Sequence, residues 1–285
     1  MSVAATTGPR PLRALARRAG VAVPLAILGL VLAAALLAPV LYPGDPMSLA
    51  GQPFLWPGQD PAFPLGTDSL GRDVAAGLVW GARVTLLVGF FAMALGILAG
   101  LVAGALAGYF GGWTDTLIVK AIEIVQTPPN FVLLVVLVAV AQPTLTTIVG
   151  AIAIVTWPTA ARIVRSEFRQ LRERDFVLAA RSLGYGHLRI MAMEILPSAL
   201  PPIIVTSSIL LATAILMESA LSFLGLGDPN VVTWGSMIGE GRPLLRSAWY
   251  LSAVPGLAIV VTVLALNLLG DALNDALNPR RRARD

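Results

Sequence analysis

The sequence predicts an all-α polytopic membrane protein with six transmembrane helices. Of its 285 residues, 56% are hydrophobic and only 13% are charged. Soluble globular domains carry roughly 25% charged residues, so this composition indicates that lipid covers much of the surface. The mean hydropathy is +0.80, and the apolar residues gather into six long stretches.

Each apolar stretch approaches the roughly 20 residues that a helix needs to cross a bilayer. The stretches lie at residues 21–41, 84–109, 117–141, 145–161, 200–224 and 254–269. Lys120 and Glu123 fall at the start of the third stretch, and Glu218 falls in the fifth. The uncharged run at 21–41 is longer than the ~7–15 apolar residues of a signal-peptide core, so we expect it to be retained as a membrane anchor.

Lysine and arginine gather on one side of the predicted membrane domain. The tail at 1–20, the polar segment at 162–199, the tail at 273–285 and Lys120 hold sixteen of the twenty basic residues. Because short loops rich in these residues stay in the cytoplasm, both tails and the 162–199 segment are predicted to be cytoplasmic. The Pro-, Gly- and Asp-rich loop at 42–81 is then external, and residues 82–272 form a core of five further spans.

The sequence lacks the residues that many enzymes and metal sites need. It has no cysteine and a single histidine, His187, which disfavours thiolate and imidazole metal sites. A phosphate-binding loop of the G-x-x-x-x-G-K-[ST] type needs a lysine after a glycine, but the sole lysine, Lys120, follows Val119. The chain is therefore predicted to be no enzyme and to bind no metal or cofactor. If ATP drives it, another subunit must bind the nucleotide.

Two patterns within the spans concern helix packing. Small residues recur every fourth position, at Ala92, Gly96, Gly100, Gly104 and Gly108. This spacing keeps them on one helix face, where a second helix backbone can come close. Pro128 and Pro129 interrupt the third stretch, and a proline removes a backbone hydrogen bond and bends a helix.

The 162–199 segment is too polar to cross the membrane and too long for a simple turn. Residues 176–183 predict a short helix, the Gly184-Tyr185-Gly186 run predicts a break, and residues 187–196 predict a second short helix that ends at Pro197. A helix laid in a partner's groove is a recurring recognition mode. An amphipathic helix resting among lipid headgroups has the same pattern, and the residues alone leave both interpretations open.

Part of this segment resembles the EAA motif of ABC importer permeases, which reads Glu-Ala-Ala, three residues, Gly, nine residues, Ile, one residue, Leu-Pro. The positions that match in register are Ala179, Ala180, Gly184, Leu196 and Pro197. Leu178 replaces the glutamate of the motif and Glu194 replaces its isoleucine. On this resemblance, residues 162–199 form an EAA-like coupling loop.

Three further stretches resemble the permeases of the dipeptide, oligopeptide and nickel importers, and in particular the second (C-type) of their two permease subunits. They are PLGTDSLGRD at 64–73 followed by GAR at 81–83, ESALSFLGLG at 218–227 with Trp234-Gly235, and NLLGD at 267–271 with Asp275 and Pro279-Arg280. The resemblance extends from about residue 64 to the end of the chain.

The resemblance implies a type I ABC importer permease fold and a pore subunit in the inner membrane. Its partners would be a homologous second permease, two ATPase subunits that bind ATP and magnesium, and an extracytoplasmic substrate-binding protein. Dipeptides or oligopeptides are the expected cargo, with nickel or another small solute as the alternative. A stand-alone secondary transporter is less favoured, because few ionisable groups lie within the spans.

The resemblance also assigns roles to individual positions. Contact with the ATPase is expected at or beside Arg174, Asp175, Ala179, Ala180, Gly184 and Tyr185. On the external side, Asp68, Arg72 and Asp73 are candidates for contact with the binding protein, although hydrogen bonds within the loop would also explain them. Glu218 is expected either to line the pathway near its outer gate or to hydrogen-bond the neighbouring loop.

Overall fold

The computed structural model describes residues 19–277, so the outer parts of both predicted tails, 1–18 and 278–285, lie outside the described residues. The described chain is helical apart from turns, loops and one isolated bridge between Thr67 and Asp73. We number its helices α1 (Ala19–Leu41), α2 (Val74–Phe110), α3 (Gly112–Gln126), α4 (Asn130–Ala141), α5 (Leu145–Leu171), α6 (Asp175–Ser182), α7 (His187–Phe223), α8 (Trp234–Gly241) and α9 (Tyr250–Leu277).

Five of these helices, α1, α2, α5, α7 and α9, are each long and apolar enough to cross a membrane. The pair α3 and α4 supplies a sixth crossing if the two helices count as one span, and they meet at an angle of 80°. The predicted stretch at 117–141 is therefore not one helix. The break falls at Pro128 and Pro129, whose missing N–H groups cannot continue the hydrogen-bond ladder, so the predicted bend is confirmed.

The predicted boundaries on the external side need correction. The loop predicted at 42–81 ends at residue 73, because α2 begins at Val74, and the core predicted to start at 82 starts there as well. The side chain of Asp73 accepts a hydrogen bond from the Ala75 amide and so caps the helix. In the sequence Arg83 stands immediately before the apolar run at 84–109, but α2 includes this residue, and its guanidinium lies 5.5 Å from the Trp80 ring centroid.

The polar segment predicted at 162–199 is also shorter than expected. The helix α5 continues through Pro158 to Leu171, and α7 starts at His187 and runs on past Pro197. A π-helical turn at Ile190–Ile195 precedes this proline, and its wider winding lets the chain pass a residue that cannot donate a backbone hydrogen bond. Only residues 172–186, which we call the connector, separate the two long helices.

The connector and the 42–73 loop mark opposite ends of the helix bundle, which we call the connector side and the loop side. The loop is clamped by Tyr250, whose hydroxyl donates to the carbonyls of Leu55 and Thr67 at 3.0 and 2.7 Å. Thr67 is fully buried and its hydroxyl accepts a hydrogen bond from the Leu55 amide at 3.0 Å. The loop is therefore a packed cap on α9, without a hydrophobic core of its own.

The largest helix interface joins α2 to α5 through the predicted row of small residues. A Cβ placed on Gly100 would lie 2.5 Å from the Ala160 Cβ, and one on Gly104 would lie 2.5 Å from the Ala161 carbonyl oxygen. Gly108 likewise faces the Arg165 carbonyl at 2.5 Å. These glycines let two backbones touch, and close dispersion contact then holds the pair together. The predicted packing role is confirmed.

We expect the Gly104→Ala variant to melt at a lower temperature than the unchanged protein in the same detergent. The added methyl group would overpack the α2–α5 contact, and overpacking typically costs about 1–3 kcal/mol. Differential scanning fluorimetry of the purified protein measures the shift. Gly150→Ala is the matched control, because Gly150 also lies within a helix but has no heavy atom within 4 Å of its would-be Cβ. Equal melting of the two variants would contradict the packing role of Gly104.

Candidate functional site

The connector contains the short helix α6, which packs one face against the helix bundle. Val177 and Ala180 are buried, and their spacing of three residues places them on one face. They share a cluster with Tyr109 of α2, Phe168 of α5 and Ile190 of α7. The helix α6 is therefore held against three of the long helices at once.

The predicted break after α6 is a glycine-dependent helix end. Gly184 has φ +78°, in the left-handed region that side chains with a Cβ disfavour. Its amide donates to the Arg181 carbonyl at 2.9 Å, and the Tyr185 amide donates to the Ala180 carbonyl at 3.1 Å. This pair of bonds is a Schellman motif, which satisfies the last carbonyls of the helix and turns the chain towards α7.

Away from its buried side, α6 and the Leu183 that follows it expose more apolar surface than expected of a polar segment. Phe176, Leu178 and Leu183 are 41%, 48% and 72% exposed. Sequence reasoning named Leu178 only as the replacement for the motif's glutamate, and it did not predict that these three side chains are exposed. The signal was available in the spacing of Val177 and Ala180, which marks the buried face and so leaves 176, 178 and 183 on other faces. We call these three exposed side chains together, Phe176, Leu178 and Leu183, the apolar connector face; Leu178 lies on one side of the buried stripe and the other two lie on the opposite side.

The six positions predicted for the ATPase contact divide into two groups. The exposed ones are Arg174, Asp175, Ala179 and Gly184. Ala180 is buried, and Tyr185 is half-buried with the Arg189 guanidinium 3.9 Å from its ring centroid. The structure thus places the first group around the apolar connector face and uses the second to hold the connector on the bundle. Contact of either group with another chain stays a prediction.

On the loop side, Asp68 and Asp73 form hydrogen bonds within the local backbone. Asp68 accepts the amides of Leu70 and Arg72, both at 2.8 Å, and so forms the turn before α2. Asp73 accepts the Ala75 amide at 2.8 Å at the start of α2. Burial raises the pKa of the Asp73 carboxyl, and hydrogen bonds from helix amides oppose that rise. These contacts support a role in loop structure for both carboxylates.

Arg72 is the one of the three predicted external residues whose side chain reaches another element. Its Nη1 lies 3.7 Å from Glu240 Oε2 of α8, and its Nε lies 3.9 Å from Asp68 Oδ2. Burial raises the pKa of the Glu240 carboxyl, while the charge of Arg72 opposes that rise. The pair lines a pocket with Ser236 and Met237 of α8. Contact of this site with a binding protein stays a prediction.

Glu218 is enclosed within the protein rather than open to a channel. It is 1% exposed, and it accepts hydrogen bonds from the hydroxyls of Ser222 at 2.8 Å and Ser219 at 3.3 Å. The hydroxyls of Thr85 and Thr233 also interact with its carboxyl. This geometry favours the structural alternative, in which Glu218 ties α7 to α2 and to the start of α8. Within residues 19–277, no group of three His, Asp or Glu side chains could hold a metal ion.

The sequence is similar to those of known membrane transport components. Residues 96–283 match the family described as the binding-protein-dependent transport system inner membrane component. The dipeptide transport system permease protein DppC of Haemophilus influenzae is 37% identical over 251 residues, which are 86% of this chain and 85% of the relative. The glutathione transport system permease protein GsiD of Pectobacterium atrosepticum is 36% identical over 89% of this chain and 85% of the relative.

Solved structures share the fold at lower identity. An inward-facing form of the MetNI methionine ABC transporter contains a chain that superposes with a TM-score of 0.58 at 20% identity, covering 71% of this chain and 96% of that one. A chain of an amino acid ABC transporter solved with histidines gives a TM-score of 0.54 at 20% identity, covering 70% of this chain and 92% of that one. The arrangement of helices is therefore that of type I ABC transporter permeases.

The long apolar helices, the family match and the relatives agree on the class of the protein. It is a multi-pass inner-membrane transport component. The chain belongs to the family of binding-protein-dependent transport system inner membrane components, with the type I ABC permease fold.

Proposed function

We propose that this chain is one of two pore subunits of an ABC importer that takes up dipeptides or oligopeptides. The cargo is inferred from relatives named for dipeptides, for di- and tripeptides and for glutathione, all of them short peptides. The observation that carries the mechanism is the apolar connector face, which a soluble partner would cover. Nickel or another small solute is the alternative cargo for the same fold.

Coupling to ATP follows from the position of α6. An ATPase subunit with a groove for this helix would bury Phe176, Leu178 and Leu183, and helix-in-groove docking buries such side chains in partner proteins. Two ATPase subunits would serve this chain and a homologous second permease, and ATP with magnesium would bind to the ATPases alone. Closure of the ATPase pair would then displace α6 and the helices packed on it. An external binding protein would deliver the peptide on the loop side.

This mechanism requires the connector side to face the cytoplasm. The basic residues support that orientation, because the connector and its flanking helix ends contain Arg162, Arg165, Arg169, Arg172 and Arg174. The positive-inside rule places such segments in the cytoplasm. The loop side, with the packed 42–73 cap, would then face outward, and both chain termini would be cytoplasmic.

A substitution on the apolar connector face tests the docking. We expect Leu183→Asp to remain in the membrane but to lose most of the ATPase that co-purifies with the unchanged transporter. A carboxylate there would be left desolvated and unpaired, which costs several kcal/mol at an interface. Quantitative co-purification with tagged permease, followed by ATP hydrolysis assays, measures the loss.

Leu49→Asp provides the matched control, since both leucines are 72% exposed and Leu49 lies on the loop side. It should retain the ATPase in full. Normal ATPase retention by Leu183→Asp would remove the basis for docking at α6.

A pair of reporter fusions tests the orientation. A green fluorescent protein fused after residue 285 should fluoresce, and alkaline phosphatase inserted after Gln59 should be active, because each reporter works on only one side of the membrane. Equal protein levels on immunoblots control for expression. A fluorescent insertion at Gln59 together with an active phosphatase at the C-terminus would reverse the proposed topology.

A further inference from the structure

Tyr109 stands at the end of α2 and meets the start of α7. It is 5% exposed, and its hydroxyl lies 2.9 Å from Nδ1 of His187. The two rings also pack edge to face with centroids 5.7 Å apart. His187 is the only histidine of the chain and the first residue of α7. A polar contact therefore ties the last turn of α2 to the point where the connector ends.

Residues at the beginning and in the middle of the connector contact the same turn of α2. Arg172 Nη1 donates to the carbonyls of Gly108 and Tyr109, both at 3.3 Å. The Arg181 guanidinium, from α6, lies 5.5 Å from the centroid of the Tyr109 ring. Cations at the C-terminal carbonyls of a helix complement its dipole, and a cation over an aromatic ring is attracted to its face. Tyr109 thus contacts residues that flank α6 on both sides and one within it.

The helix α2 is in turn in close backbone contact with α5. Gly108, one residue before Tyr109, packs against the backbone of Arg165, and a Cβ on it would lie 2.7 Å from the Cβ of Phe168. Packed protein interiors transmit displacement because they contain few voids and compress little. A shift of Tyr109 therefore becomes a shift of both helices.

We propose that Tyr109 is a positioning residue that clamps the connector to α2, so that displacement of α6 reaches the α2–α5 pair as well as α7. The proposal rests on the proposed function in one respect, that an ATPase displaces α6. The hydroxyl makes the clamp specific, because the aromatic ring without it would contribute only non-directional packing. Its loss leaves α6 attached through Val177 and Ala180 but frees the start of α7 to move separately.

The test is Tyr109→Phe in the transporter assembled with its partner subunits in lipid nanodiscs. Without the hydroxyl bond, amides in residues 175–195 should exchange hydrogen roughly fivefold faster, because one hydrogen bond no longer opposes local opening. In proteoliposomes supplied with labelled dialanine, the number of ATP molecules hydrolysed per peptide taken up should rise several-fold. Tyr250→Phe is the matched control, since it removes a bonded hydroxyl on the loop side and should leave exchange in 175–195 unchanged.

Substitutions of His187 separate the bond from general packing. His187→Leu should reproduce both effects of Tyr109→Phe, and the double variant should be no worse than either single one. His187→Asn, which keeps a hydrogen-bonding group near Nδ1, should restore most of the coupling. Unchanged exchange in Tyr109→Phe, or additive effects in the double variant, would overturn the clamp.

The two measurements, hydrogen exchange and the number of ATP molecules hydrolysed per peptide, also distinguish this proposal from the proposed function. The exchange measurement needs neither nucleotide nor peptide, so it reports on the clamp even if the cargo is not a peptide. Faster exchange with an unchanged ratio of ATP to peptide would show that the contact is structural only, and it would overturn the positioning role. Normal ATPase binding by Leu183→Asp would instead remove the proposed docking while leaving the exchange result intact.

Discussion

The structure depends on the direct backbone contact between α2 and α5. In a bilayer the hydrophobic effect does not drive two apolar helices together, since lipid tails are as apolar as leucine side chains. Association then requires close van der Waals contact, and Gly100 and Gly104 supply it by bringing Cα atoms against the opposite backbone. Without that contact the ends of the two helices would not meet. The buried cluster around Phe168, against which α6 packs, would then lack the side chains that α2 contributes.

Three local features hold the connector against the α2–α5 pair. Arg165 of α5 forms a bidentate ion pair with Asp115 of α3, which fixes the beginning of α3 beside the end of α2. Burial of Val177 and Ala180 holds α6 against the bundle, and Gly184 turns the chain towards the start of α7. A short helix of eight residues is marginal alone in water. Its position therefore comes from the surfaces beneath it, which makes it suitable for transmitting a force applied to its open face.

The parts of this arrangement that the sequence predicts are those carried by local composition. The first span, the packing of the glycine row and the break at Gly184 follow from hydropathy, spacing and the conformational freedom of glycine. The boundaries at Val74 and His187 do not follow from the sequence, because Arg83 and Pro197 each resemble a helix end. In the structure the Trp80 ring accommodates Arg83, and the π-helical turn accommodates Pro197. The bond between Tyr109 and His187 joins residues 78 positions apart, and no pattern in a single sequence specifies such a pair.

The exposed faces of the helices differ in a way that bears on the second permease. The helix α1 is the least buried of the five spans that consist of a single helix, and it carries no charge from residue 21 to 41, so lipid alone can cover it. The helix α3 instead exposes Lys120 and Glu123, one turn apart, on a segment that counts towards a membrane crossing. Charged groups on a membrane-crossing segment usually face protein or water rather than lipid. The exposed face of α3 therefore gives the proposed second pore subunit, or the aqueous path between the two, a physical reason to lie there rather than against α1.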